Sequence, residues 1–147
     1  MNRRDAFIGS GAALMTVASG LAMAQEHAHH NHAAMHGGPN PTLIAAVADC
    51  VVKGQACLAH CLVLLGDGDK AMTGCAKMVN QMLAVCGALQ NLASQQSALL
   101  PAMAKVALDA CQQCEQECGK HKDKHAECKA CMESCQNSAK QCKLIAG

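Results

Sequence analysis

CKACMESCQNSAKQC, residues 128–142, is the stretch from which the rest of the chain is read. It sets Cys128, Cys131, Cys135 and Cys142 in a segment that has no Pro or Gly between Lys120 and Ala146. An α-helix turns about 100° per residue, so these four side chains fall in a stripe roughly 60° wide on one face. The same arithmetic gathers Cys111, Cys114 and Cys118, then Cys50, Cys57 and Cys61, then Cys75 with Cys86. The stripes also mirror one another. About Gly66-Asp67-Gly68, Cys61 and Cys75 are equidistant from the turn, as are Cys50 and Cys86. About Lys122-Asp123, Cys118 answers Cys128, Cys114 answers Cys131 and Cys111 answers Cys135. In an antiparallel helical hairpin equal distance from the turn means equal height, so thiols from neighbouring helices are expected to meet in layers.

Composition points the same way. Twelve Cys and nine Met stand against one Phe and no Tyr or Trp in 147 residues. A core usually filled by aromatic bulk must here be filled by Ala, Leu, Val, Met and Cys. The formal charge is +1, and removing a leader with Arg3, Arg4 and Asp5 leaves ten basic and ten acidic residues. A neutral chain without aromatic platforms gives no support for nucleic-acid binding.

Residues 1–24 read as an export signal: Arg3-Arg4, an apolar run from Ala6 to Leu21, and Ala22-Met23-Ala24 as a cleavage site. The paired arginines resemble a twin-arginine (Tat) leader, with Phe7 one residue late, and imply a periplasmic or membrane-associated exported compartment. Residues 25–40 carry His27, His29, His30, His32 and His36, a tract without an apolar face that reads as a mobile arm able to collect metal. Residues 41–147 form the remaining domain. Its first helix opens near Pro41-Thr42 and stops at about Leu65 before Gly66. The second is capped by Asp69 and runs to about Ser97. The third starts by Pro101 and ends near Gly119, and the fourth spans about Asp123 to Ile145. The fold class is all-α, an antiparallel up-down-up-down four-helix bundle with a cysteine-lined core. Leu89, Leu92, Ala93, Leu99, Leu100, Met103, Val106 and Ala107 are expected to plug one end. His60, Met72, His121 and His125 gather at the other, which reads as an entrance.

Three chemistries compete for the sulfur. Structural disulfides suit an exported protein with an even cysteine count, but such scaffolds are short and loop-rich and need no common interior stripe. Zinc or iron–sulfur sites want closed groups of four ligands, which layers along an axis are not expected to give. Cu(I) is soft, singly charged and content with two or three sulfurs, so one thiolate can bridge two ions and a loaded core is nearly neutral. Twelve uncompensated thiolates, by contrast, would be prohibitively costly to bury. The spacing alone implies a multinuclear soft-metal core. An enzyme, such as a thiol oxidoreductase or a cuprous oxidase using exposed histidines, is the rival from another class. It would need an accessible low-pKa cysteine, and no nucleophile–base pair, paired carboxylate or phosphate loop is present.

The motifs C111-x-x-C114-x-x-x-C118 and C128-x-x-C131-x-x-x-C135, with Cys50, Cys57, Cys61, Cys75, Cys86 and Cys142, resemble the copper storage protein family, in particular the exported branch of methane-oxidising bacteria. The resemblance implies storage of many Cu(I) ions on all twelve cysteines and no catalysis. It also implies a homotetramer and exchange with copper donor or recipient proteins, among them a copper-dependent methane monooxygenase. His60 and Met72 match family positions that hold copper at the open end. Met78 and Met82, on the cysteine stripe of the second helix, read as core filling. The family pattern has cysteine where this chain has Ser138, and a hydroxyl is a poor Cu(I) ligand, so one ion fewer or a shifted site is expected near Cys135 and Cys142.

Overall fold

The computed structural model describes residues 40–147, so the expected leader and all but the last residue of the histidine-rich tract lie outside the described residues. Four helices account for most of the rest: α1 (Pro41–Gly66), α2 (Thr73–Ser94), α3 (Leu100–Gly119) and α4 (Ala126–Ala146). A single 3₁₀ turn, Lys70–Met72, precedes α2. Each helix packs its backbone on its neighbours in sequence and α1 closes on α4, while the diagonal helices meet only through side chains at the axis, which is the square of an up-down-up-down bundle.

The helix ends follow local chemistry. Pro41 starts α1, where its missing N–H would be unpaired in any case. Past Gly66, Gly68 takes a left-handed φ of 94°, and the amides of Gly68 and Asp69 bond back to the carbonyls of Leu65 and Leu64 at 3.0 and 2.9 Å. That pattern is the Schellman stop. Asp69 is a cap as expected, its Oδ1 accepting from the Ala71 amide at 3.0 Å, although the element it caps is the 3₁₀ turn. Two boundaries differ from expectation. α2 ends at Ser94 rather than Ser97, because Gln96 turns left-handed (φ 53°) and Gln96 and Ser97 bond back to Ala93 and Leu92 in a second Schellman stop. α4 begins at Ala126 rather than Asp123, because the amides of both Lys124 and His125 bond to the His121 carbonyl and His125 then extends before the helix starts.

The interior divides along its length. Leu89, Ala93, Leu100, Ala104 and Ala107 are buried at the end where α2 turns into α3. Leu99 and Val106, expected in this plug, are instead 65% and 52% exposed. Ala104 occupies the inward position, because one residue at 100° per step separates a core face from its flank. All twelve cysteines are fully buried and fill the length between the plug and the opposite turns. Sulfur here stands in the place of ordinary core side chains, as a protonated thiol packs like a small hydrophobe. On the outside of α1, Val52, Leu62 and Val63 are exposed, while Val51 and Leu58 are half-buried against the core.

Candidate metal centre

The cysteines meet in overlapping groups. Cys57, Cys61, Cys75 and Cys128 have their sulfurs within 4.8 Å of one another, as do Cys57, Cys118 and Cys131, then Cys114, Cys131 and Cys135, then Cys50, Cys111 and Cys135. The first group draws on α1, α2 and α4, so it exists only because the bundle closes. It also corrects the expectation that layered thiols give no closed four-sulfur group. Its Cys57 is shared with the next group, Cys131 links the second to the third, and Cys135 links the third to the fourth. Cys86 joins through Cys111 at 3.7 Å. Eleven of the twelve sulfurs therefore form one continuous path along the axis.

Individual distances show the register. Across α3 and α4, Cys114 and Cys131 stand 3.8 Å apart, as the mirror arithmetic expects. Across α1 and α2 the register shifts by up to a helical turn. Cys57 approaches Cys75 at 3.9 Å, and Cys50 faces Met82 at 3.4 Å. Between α1 and α4, Cys50 meets Cys135 at 3.6 Å and Cys57 meets Cys128 at 3.8 Å. Cys75 has three such neighbours, Cys57, Cys118 and Cys128, at 3.9, 3.5 and 3.9 Å. All twelve thiols are free, and a sulfur with three near-equidistant neighbours defines no disulfide partner.

The electrostatics follow from burial and from sulfur bonding to sulfur. Hydrogen bonds from Cys111 and Cys135 hold the Cys50 thiol below its ordinary value. Cys118 and Cys128 do the same for Cys75, and Cys114 and Cys118 for Cys131. The bonding partners shift the other way. Cys86 is raised by its bonds with Cys111 and Cys50, Cys118 by Cys114 and Cys131, and Cys135 by Cys111 and Cys114. Burial, then repulsion from Cys75, pushes Cys61 up to about 12. At Cys128 the bond from Cys57 pulls down, but the bond with Cys75 and burial prevail and raise it to about 12. Metal-free, the core is a set of protonated thiols with a few sulfurs placed to lose a proton first, and a cation entering must displace protons.

Cys142 stands apart. It is fully buried yet belongs to none of the groups, and burial, then the charges of Cys111 and Cys50, push it up to about 12. On the same stripe of α4, Ser138 is also fully buried and donates its hydroxyl to the Ala46 carbonyl of α1 at 3.0 Å. The hydroxyl is thus turned to backbone at the point where the sulfur path would run on to Cys142.

At the turn end, His60 of α1 and His125 are linked ring to ring, Nε2 to Nδ1 at 2.9 Å, and the His60 Nε2 lies 3.7 Å from Glu127. His60 keeps a quarter of its side chain exposed and sits on α1 between Cys57 and Cys61 of the four-sulfur group. His121 lies beside His125 with ring centres 6.4 Å apart and ring planes tilted by 54°. Met72 is fully buried in the 3₁₀ turn at this end. Sequence reasoning placed His125 and His60 at the same end; the direct link between their rings, across 65 residues, is beyond any local signal. It also placed Met78 and Met82 together on the cysteine stripe. Only Met82 is fully buried there, whereas Met78 lies on the flank and Val79 takes the inward place.

Among curated proteins no sequence matches the chain. Two solved structures are similar over 74% of it, each with a TM-score of 0.65. One is the apo form of copper storage protein 3 from Bacillus subtilis, 27% identical and covered over 99% of its length. The other is the Cu(I)-bound copper storage protein BsCsp3, 25% identical and covered over 98%. The family model described as copper storage protein matches residues 39–147, the whole of the bundle, and the chain belongs to that family.

Proposed function

We propose that this protein stores Cu(I) in quantity, on the order of one ion per cysteine, as thiolate-bridged clusters along the bundle axis. The observation that carries the reading is the sharing of Cys57, Cys131 and Cys135 between adjacent groups. Isolated sites do not need ligands in common, whereas a run of bridging thiolates consists of nothing else. About 2.3 Å from each ligand, a soft ion in three-coordination sets sulfurs about 4.0 Å apart, and in two-coordination about 4.6 Å. The sulfur separations of 3.5–3.9 Å, within groups bounded at 4.8 Å, suit both. The ions serve as cargo, and each Cu(I) taken up replaces about one thiol proton.

Loading and release run through the turn end, where His60 and Met72 supply ligands weaker than thiolate and so suited to exchange. The twelve cysteines, His60 and Met72 form the ligand set. Ser138 lowers capacity near Cys135 and Cys142. Storage proceeds without catalysis, a reading supported among the described residues by an interior filled with cysteine and methionine side chains. Export through the leader of residues 1–24 places it outside the cytoplasm, the histidine arm of residues 25–40 gathers copper, and copper donors or recipients, methane monooxygenase among them, are its partners. The exposed apolar residues of α1 support assembly as a homotetramer.

An anaerobic Cu(I) titration of the reduced protein against a competing chelator tests the reading. Uptake of roughly ten or more equivalents, with proton release in step, is expected. Saturation at about one or two equivalents would end it.

A further inference from the structure

The cysteines of α2 are sparse. Cys75 and Cys86 are eleven residues apart, a gap of about 16 Å along a helix. Between them Ala76, Val79 and Met82 face the core, and Val79 and Met82 are fully buried. Met82 lies at the depth where α2 would otherwise bring no sulfur, and its thioether sulfur stands 3.4 Å from the Cys50 sulfur, accepting the Cys50 thiol proton. Cys50 is in turn 3.6 Å from Cys135 and grouped with Cys111.

A second observation concerns where the rest of the Met82 side chain goes. Gly54 is a buried glycine in the middle of α1, one turn beyond Cys50. A glycine at a helix interior costs about 1 kcal/mol relative to Ala. A β-carbon at Gly54 would lie 2.6 Å from the Met82 methyl carbon and 2.9 Å from Cδ2 of Leu83. The missing side chain is therefore the seat of the methionine methyl. With that methyl held in the notch, the sulfur lone pairs are left toward Cys50. A leucine or any other hydrophobe of similar size would fill the volume, but only a thioether offers a donor atom there.

We infer that Met82 is a copper ligand inside the core, sharing a Cu(I) ion with Cys50 at the level of Cys111 and Cys135, and that Gly54 positions it. The step balances without an oxidant or reductant. Cu(I) arrives from its carrier, the Cys50 thiol releases its proton to solvent and its thiolate bonds the ion, and the neutral thioether that had accepted the hydrogen bond of that thiol donates a lone pair to the same ion. One thiolate and one thioether leave the site uncharged, which suits a ligand pair with no exposure to water. The inference rests on the storage reading and extends it to a residue that is neither cysteine nor at the entrance.

The test uses the full protein carrying methionine labelled with ¹³C at the methyl carbon, with the Met82 resonance assigned from Met82→Leu. Cu(I) is diamagnetic, so the methyl signal can be followed through anaerobic loading. Expected are a displacement of the Met82 signal that saturates with a defined equivalent of Cu(I), and in Met82→Leu an unchanged helical circular dichroism with about a tenfold weaker hold on one equivalent in chelator competition. Gly54→Ala, which puts a carbon in the methyl seat, is expected to shift the same resonance in the metal-free protein. A Met82 signal that stays fixed while the protein takes up many equivalents overturns this inference and leaves the storage reading standing. Failure of the wild type to take up more than about two equivalents overturns both. Should Met82→Leu not fold, the resonance is assigned from Met82→Gln and the wild-type displacement decides.

Discussion

The two ends of the bundle are made by the same four helices with different side chains facing in. Where α2 turns into α3, Leu89, Ala93, Leu100 and Ala104 meet in an apolar plug. At the other end Cys57, Cys61, Cys75 and Cys128 share the length with a partly exposed, linked pair of histidines, His60 and His125. The plug holds the helices together in a way that is indifferent to metal, because burial of leucine is the same with or without copper. The sulfur length is packed, yet its thiols are individually small and its cohesion is expected to change with cargo. Stability and capacity should therefore be separable by position. Leu89→Ala is expected to cost about 2–5 kcal/mol of metal-free stability, read by denaturant unfolding, while Cu(I) uptake stays at the wild-type value. Cys131→Ala should do the reverse: it removes the sulfur shared by two groups, takes several equivalents from the titration, and costs about 1 kcal/mol or less of metal-free stability. Loss of copper in proportion to stability in Leu89→Ala would erase the distinction between the ends.

Acidity sharpens the same contrast, since among the described residues the buried titrating groups are the thiols of the sulfur length and none belongs to the plug. Eight buried thiols are raised, Cys57, Cys61, Cys86, Cys114, Cys118, Cys128, Cys135 and Cys142, and three are lowered, Cys50, Cys75 and Cys131. A raised thiol keeps its proton in the folded state after the unfolded chain has lost it. Its contribution is complete below the ordinary value of 9.0 and drains away as pH climbs toward the folded value, about 12 for Cys61, Cys128 and Cys142. The lowered thiols oppose this but are fewer. The metal-free protein is thus expected to lose stability steadily between about pH 9 and 12, and the copper-loaded protein, whose sulfurs hold metal in place of protons, to show a flatter curve over the same window. Melting temperature against pH for the two forms checks it, and parallel curves would contradict it.

Ser138 marks where the sulfur path stops short of the plug. Its hydroxyl is spent on the Ala46 carbonyl, and Cys142 beyond it is left out of the groups. Ser138→Cys is expected to bring Cys142 into the path and add about one equivalent to the Cu(I) capacity, with little change in metal-free stability, because a thiol replaces a hydroxyl whose carbonyl partner can still be met by the helix. An unchanged titration end point would mean that Cys142 already shares an ion in the wild type.

Much of this was legible in the residues, for a definite reason. Period and spacing fix which face a residue occupies, so the four stripes, the bundle and the burial of every cysteine followed from counting along the chain. What counting did not give was register across the α1–α2 hairpin. Symmetry about Gly66–Gly68 treats the turn as even, but the three-residue Lys70–Met72 3₁₀ turn sits on one side only and rises about 2.0 Å per residue against 1.5 Å for the α-helix, which supplies about one residue of the shift in the observed direction. Cys50 accordingly comes to face Met82 as well as the depth of Cys86, and a methionine read as filler becomes a neighbour of the sulfur path. Likewise the four-sulfur group needed α4 folded onto α1, and the link between His60 and His125 needed the same closure; neither contact is encoded within one hairpin. Leu99 and Val106 were misplaced by one step of the helix, an error that hydrophobicity alone does not correct.

The two Schellman stops differ by one residue type, and that difference carries the smallest effect. At the sulfur end Gly68 adopts φ 94° with no β-carbon to clash. At the plug end Gln96 is held at φ 53° by the same pair of backbone bonds, to Ala93 and Leu92. A non-glycine residue in the left-handed region costs about 1–2 kcal/mol. Glycine there relieves that cost but gives back about 0.4–1 kcal/mol through the larger entropy of the unfolded chain. Gln96→Gly is therefore expected to stabilise the metal-free protein by about 0.5–1 kcal/mol, with Gly68→Ala destabilising it by a similar amount. Neither should alter Cu(I) capacity, because neither turn bears a cysteine and both leave the helix faces in register. Denaturant midpoints that fall in Gln96→Gly would show that the glutamine side chain contributes more to this turn than its backbone conformation costs.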